Sequence, residues 1–207
     1  MKNSLNINII DYGVGNVHSL ANAISFLGYK IKVSRDFKDI EQADALILPG
    51  VGAFDEAIKN LRKFNLELVL NEQGIIQKKP ILGICVGMQM LANGSYENGW
   101  HKGLEWINGE VKKLELPKNY FIPHVGWNNI LVKKEEPIFT RYDKGASFYF
   151  DHSYHFECEE QFKAATCDYG VLVTAAVQKE NIFGVQFHPE KSQTNGLKLF
   201  RSFFNSI

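Results

Sequence analysis

From Pro80 to Met90 the chain reads Pro-Ile-Leu-Gly-Ile-Cys-Val-Gly-Met-Gln-Met, an apolar run that ends on a nucleophilic side chain with glycine two residues before and two residues after it. This is the G-x-C-x-G form of a nucleophile elbow, in which Cys85 sits on a sharp turn from a strand into a helix. Such a turn forces the central residue into a strained backbone conformation, and side chains two positions away would crowd it, which accounts for Gly83 and Gly87. The turn lifts the sulfur out of the sheet. The unpaired amides and positive dipole end of the following helix favour thiolate and offer the Val86 N–H to an oxyanion. A buried cysteine at a glycine-rich strand end fits the same residues, so the partners of Cys85 decide between the two readings.

The rest of the chain sets the bounds. Its 207 residues are 45% hydrophobic and 22% charged, enough for one domain, residues 1–207, with a real core. Twenty-three basic residues balance twenty-three acidic ones, which removes any bulk electrostatic reason to expect nucleic acid or a membrane surface as partner and points to a small substrate. Cys85, Cys158 and Cys167 are too few for a disulfide framework and suit a reducing compartment. The N-terminus has one lysine and only the short apolar run Ile7 to Ile10, unlike a signal peptide, and no run reaches transmembrane length. The cytoplasm is the expected location.

The first half alternates short apolar runs with helix-period segments, as a parallel sheet covered on both faces does. Strands are expected at Ile7 to Ile10, Ile31 to Val33, Ala45 to Leu48 and Ile81 to Ile84. Asn16 is placed to cap a helix carrying Val17, Leu20, Ile24 and Leu27, stopped by Gly28, and Ala53 to Phe64 and Leu66 to Gln77 read as helical. After about residue 93 shorter alternating segments follow, at Gly109 to Leu116, Asn128 to Lys133, Ser147 to Phe150, Ala164 to Cys167, Val171 to Val177 and Ile182 to Phe187. Leu197, Phe200, Phe203, Phe204 and Ile207 mark a final amphipathic helix. The expected fold is a three-layer α/β sandwich, mostly parallel, with an antiparallel extension.

His188-Pro189-Glu190 follows the apolar run Ile182 to Phe187, and so falls at the carboxyl edge of a strand, where open α/β sheets place their sites and where Cys85 also falls. In extended backbone His188 and Glu190 project to one side, so the carboxylate can hold one ring nitrogen while the other faces the sulfur. Nucleophile, base and orienter are then all present. Taken alone, the tripeptide is as well explained by a structural turn. The order Cys85, His188, Glu190 departs from the nucleophile, acid, histidine order of α/β-hydrolases.

Gly83-Ile84-Cys85-Val86-Gly87-Met88-Gln89 together with His188-Pro189-Glu190 resembles the class I glutamine amidotransferases. Asp11 to Asn16, Pro49 to Phe54, Pro123 to Asn128, His152 to Tyr154 and Gln186 to Ser192 are similar to further segments of that family in the same order, over essentially the full length. The resemblance implies a flavodoxin-like sandwich, hydrolysis of L-glutamine through a Cys85 thioester with His188 as acid and base, and no cofactor. It also implies oxyanion donors at Val86 and in the Pro49 to Gly52 segment (Val51, Gly52), a segment able to flip a peptide, and glutamine contacts at Gln89, Ser153 and Tyr154. Asn16, Trp127 and Lys191 would face a partner. The partner implied is a β/α-barrel synthase (cyclase) forming a heterodimer, which takes up the ammonia and makes imidazole glycerol phosphate and an aminoimidazole carboxamide ribotide in histidine biosynthesis.

Two alternatives stand beside this one. The same glutaminase chemistry could feed an N-acetyl sugar amidotransferase of surface polysaccharide synthesis, because the Gly94 to Gly103 stretch and Asp151 before His152 differ from the histidine-pathway pattern. A glutamine-sensing module without turnover is the other, although a pure binder has no use for an activated thiol. His152, His155 and Cys158 have a spacing that suits a helix while their neighbours suggest a strand, so no metal is expected. Gly13-Val14-Gly15 lacks the third glycine of a dinucleotide fingerprint, since His18 stands there.

Overall fold

The computed structural model describes residues 5–140, 142 and 145–207. The elements of the first half are β1 (Asn6–Ile10), α1 (Val17–Phe26), β2 (Lys30–Ser34), α2 (Phe37–Gln42), β3 (Ala45–Leu48), α3 (Phe54–Lys63), α4 (Leu66–Asn71), β4 (Ile81–Ile84) and α5 (Val86–Gln89). The second half adds β5 (Gly94–Ser95), β6 (His101–Lys102), β7 (Gly109–Lys113), β8 (His124–Val132), β9 (Ser147–His152), β10 (Tyr154–Cys158), β11 (Lys163–Asp168), β12 (Leu172–Lys179), β13 (Ile182–Val185) and α6 (Gln193–Asn205).

A nine-stranded sheet runs β2-β1-β3-β4-β13-β12-β11-β8-β9. From β2 to β13 the strands are parallel, and from β13 to β9 each pair is antiparallel. β3, β4 and β13 are buried at every position, which explains their unbroken apolar sequences: helices cover both of their faces. α1 and α6 pack on one side, and α2 to α5 on the other. The α6 side is sealed by Phe200, Phe203 and Phe204, with Phe203 edge-on to Phe183 of β13 at 5.5 Å between ring centroids. The fold is the α/β sandwich with an antiparallel extension expected of the sequence, and its sheet is mixed, with four parallel pairings in the half that carries Cys85 and four antiparallel ones in the extension.

Several local expectations need correction. β7 does not join the extension but a second, four-stranded sheet, β10-β7-β5-β6, in which it pairs antiparallel with β10 and parallel with β5. Leu66 to Gln77 is not one α-helix: α4 gives way to a π-helical turn, Glu72–Ile76, where a Cβ on Gly74 would stand 2.6 Å from Ile81 Cδ1. α2 was not foreseen. It has one buried residue, Ile40, too little for helical periodicity to register, although Asp36 caps it by accepting from Lys38 N at 2.9 Å. Asn16 occupies the cap position of α1, but its side chain makes no capping hydrogen bond. α5 spans a single turn, so the dipole invoked beside Cys85 shrinks to the local amides.

The site edge of the sheet is held together by a backbone contact between β3 and α5. A Cβ on Gly87 would lie 1.9 Å from the Leu48 carbonyl oxygen, so only glycine lets the end of β3 and the start of α5 approach this closely. Gly87→Ala is expected to lower the unfolding free energy by about 3 kcal/mol through overpacking. Urea titration checks this, and an unchanged midpoint would contradict the contact.

Candidate active site

Cys85 joins β4 to α5 with φ 54° and ψ −112°, a conformation outside the ordinary left-handed well. Two hydrogen bonds pin the turn: Cys85 N donates to Val185 O at 2.8 Å and Gln89 N donates to Cys85 O at 3.1 Å. The expected reason for the flanking glycines changes. They crowd not the cysteine but each other and β3: a Cβ on Gly83 would stand 2.7 Å from Gly87 O. Cys158 and Cys167 are different in kind, since burial pushes their thiols up to about 11 and about 12 and keeps them protonated.

His188 follows β13, with its N–H donating to Tyr149 O at 2.8 Å, and its Nδ1 lies 2.9 Å from Glu190 Oε1. The backbone between them is not extended. Pro189–Lys191 forms a 3-10 turn, and it is this turn that folds the carboxylate back under the ring. Ser192 Oγ donates to His188 O at 2.6 Å and accepts from Tyr149 N at 3.0 Å, so the turn is fastened to β9. Burial alone would push the His188 ring down, but hydrogen bonds with Cys85 and Glu190 outweigh it and lift the ring to about 10.

A cavity of ≈ 230 Å³ opens beside the sulfur. It is lined by Val51, Gly52, Cys85, Val86, Gln89, Ser153, Tyr154, His188 and Lys191, so it gathers every residue named from the sequence for catalysis, oxyanion and substrate except Glu190, which stands behind His188. Asp151 and His152, weighed above for partner choice and metal binding, line it too, as does Glu97. Glu97 lies in the Gly94 to Gly103 stretch weighed for partner choice, but was given no role of its own. Its Oε2 accepts from Phe54 N at 2.9 Å at the start of α3, and burial raises its carboxyl pKa against the opposing pull of that N–H.

Of the residues named for a partner face, Trp127 is 47% exposed on β8 and lies edge-on to Tyr149 at 6.2 Å, while Lys191 Nζ lies 5.1 Å over the same ring. Asn16 lies off the cavity, at the head of α1. Its neighbour Gly15 packs on Pro49, where an added Cβ would come within 3.0 Å.

Two buried polar groups behind the cavity were not foreseen. Tyr12, fully buried, donates its hydroxyl to the Pro49 carbonyl and so fixes the first peptide of the Pro49 to Gly52 segment. Gln186, also fully buried, accepts from Gln89 Nε2 at 2.9 Å and points its own Nε2 to 3.7 Å from Cys85 Sγ.

The family model for class-I glutamine amidotransferases matches residues 8–207. The chain belongs to that family. It is 48% identical to imidazole glycerol phosphate synthase subunit HisH 2 of Vibrio vulnificus (strain YJ016), over 98% of this chain and 95% of that protein. To imidazole glycerol phosphate synthase subunit HisH 1 of Campylobacter jejuni (strain RM1221) it is 46% identical, over 95% of this chain and 98% of that one. Among solved structures, PurLQS from Thermotoga maritima superimposes with a TM-score of 0.71 at 18% identity, covering 98% of this chain and 99% of that chain, a likeness of fold. No helix among the described residues is long and apolar enough to cross a membrane.

The buried histidines beside the cavity set the acid stability. Burial lowers His124 to about 4 and His152 to about 3 from an ordinary 6.5. Both rings are therefore neutral in the fold while the unfolded chain binds protons below 6.5, so stability falls as pH falls from 6.5 toward 4. Unfolding free energy should drop by about 2 kcal/mol per histidine between pH 7 and pH 5. Urea titrations across this window check it, and a flat profile would show that the rings protonate in place.

Proposed function

We propose that this chain is the glutaminase subunit of an imidazole glycerol phosphate synthase. The observation that carries the reading is the hydrogen-bonded His188–Glu190 pair, 2.9 Å apart, beside a strained Cys85 on the wall of one cavity. Cys85 Sγ attacks the side-chain amide of L-glutamine, His188 passes a proton to the departing ammonia, and water, deprotonated by His188, then cleaves the glutamyl thioester to glutamate. Glu190 fixes the ring and its charge. Val86 N–H and an amide at Val51 or Gly52 hold the oxyanion, while Gln89, Ser153, Tyr154 and the Glu97 carboxylate meet the amino-acid portion. We read residues 1–207 as one amidotransferase domain, acting in the cytoplasm without cofactor or metal.

Ammonia released into bulk water is protonated and loses its nucleophilicity, so the product has to pass directly to a second active site. The names of the relatives support a synthase subunit as that partner, a β/α-barrel cyclase bound at the face of Trp127, Asn16 and Lys191. Asp151 on the cavity wall, with the exposed Tyr96–Trp100 aromatic pair in the Gly94 to Gly103 stretch, favours a second reading in which the acceptor is an N-acetyl sugar amidotransferase. Ammonia transfer assayed with each candidate partner separates the two.

Cys85→Ala is expected to abolish glutamine turnover and leave both partner assembly and synthesis from added ammonia intact, since only the covalent step is lost. His188→Ala should be as damaging, and Glu190→Gln should cost roughly a hundredfold in kcat. Near-normal turnover in Cys85→Ala would overturn the assignment.

A switch is expected as well. The glycine-rich Pro49 to Gly52 segment has peptides able to take two orientations, only one of which donates to the oxyanion, and a missing donor costs about 3 to 4 kcal/mol. The isolated chain should therefore hydrolyse glutamine a hundred- to thousandfold more slowly than the complex with its partner's substrate bound. Lys191→Ala should weaken this coupling more than glutamine binding. Full activity in isolation, unchanged by any partner, would contradict it.

A further inference from the structure

A line of hydrogen bonds runs from strand β8 to the sulfur, and its polarity follows from its chemistry. Tyr154 O can only accept, so His152 Nδ1, 2.8 Å away, carries a proton. The neutral ring then accepts at Nε2, which makes His124 Nδ1, at 3.0 Å, the donor. His124 Nε2 is left as an acceptor for Asn128 Nδ2 at 3.1 Å. Two stacked rings hold His124 in plane, Tyr169 at 3.8 Å and Phe150 at 4.7 Å between centroids.

The far end of the line meets the sulfur. Tyr154 O also accepts from Gln89 Nε2 at 3.0 Å, and Gln89 sets Gln186, whose Nε2 faces Cys85 Sγ. Asp151 O lies 3.9 Å from the same sulfur, so the segment from Asp151 to Tyr154 touches it at one end and is tied to it through the two glutamine amides at the other. His124 itself is buried and lies off the cavity wall.

We propose that His124 is a positioning residue for the glutamine site: acting through His152, it holds the Asp151–Tyr154 segment and the Gln89 and Gln186 amides in the arrangement that receives glutamine beside Cys85. This deepens the glutaminase reading and rests on it. Polar contacts set in a dry interior cost most when one partner is removed, because the other is left unsatisfied. His152 Nε2 would be that group.

The test compares His124→Phe with His124→Asn in the full chain bound to its synthase partner. Phenylalanine keeps the stack on Tyr169 and Phe150 but supplies no donor, whereas the asparagine Nδ2 falls where the histidine Nδ1 stands and can donate to His152. His124→Phe is expected to raise KM for glutamine roughly tenfold with kcat changed less than about threefold, the effect of one lost buried hydrogen bond. His124→Asn should stay within about threefold of the wild-type KM. Alkylation of Cys85 by iodoacetamide, which needs no amino-acid recognition, should proceed at the wild-type rate in both. A wild-type KM in His124→Phe overturns the inference. So does an equal KM loss in both variants, or a parallel loss of alkylation, which would mean general disruption. If the wild-type complex is alkylated at Cys85 yet turns over no glutamine, the glutaminase reading fails and takes the inference with it.

Discussion

The backbone of Cys85 stands at φ 54° and ψ −112°, and the rest of the site is arranged about that turn. A conformation of this kind costs on the order of 1–3 kcal/mol and persists only where its surroundings over-determine it. Here they do. β4 is buried on both faces between β3 and β13, the Cys85 amide is bonded to Val185 O at 2.8 Å, and Gly87 is pressed against the end of β3. The same contacts that enforce the strain bring the Pro49 to Gly52 segment to the start of α5: a Cβ on Gly50 would stand 2.5 Å from Gly87 N. Packing of three parallel strands thus fixes where the sulfur points and what lies opposite it.

Electrostatics then divide the buried histidines by their neighbours. His188 has a carboxylate on one nitrogen and the cysteine on the other, and against the downward push of burial these raise it to about 10. His152 and His124 hydrogen-bond only to neutral groups, and desolvation first, with repulsion from His188 added at His152, holds them to about 3 and about 4. One charged ring and one neutral ring therefore line a single site, with a second neutral ring, His124, behind them. The charged ring is placed to move a proton, while the neutral pair can carry only hydrogen bonds of fixed direction.

What the sequence makes legible is what is local. The fold class follows from unbroken apolar runs such as Ala45 to Leu48 and Ile81 to Ile84, and the positions of Cys85 and of the His188–Glu190 pair follow from short motifs at strand ends. Glu190 reaches His188 not along extended backbone, as the tripeptide suggests, but because Pro189 starts a 3-10 turn instead of prolonging the strand. α2 and the two-residue strands β5 and β6 are too short for any period to register. The polar frame of the site stayed hidden for another reason. Tyr12 and Pro49 are 37 residues apart, His124 and His152 28, and Cys85 and Gln186 101, and no spacing rule connects such partners before the sheet is assembled.

On the proposed reading the strained cysteine is the group that takes the glutamyl chain from glutamine. Acid-quench mass spectrometry of the complex during steady-state turnover tests it directly. A glutamyl adduct confined to the peptide carrying Cys85, labile to hydroxylamine as a thioester is, is the predicted result. Steady release of glutamate with that peptide unmodified at every quench time, and an adduct on Cys158, Cys167 or no residue at all, would contradict it.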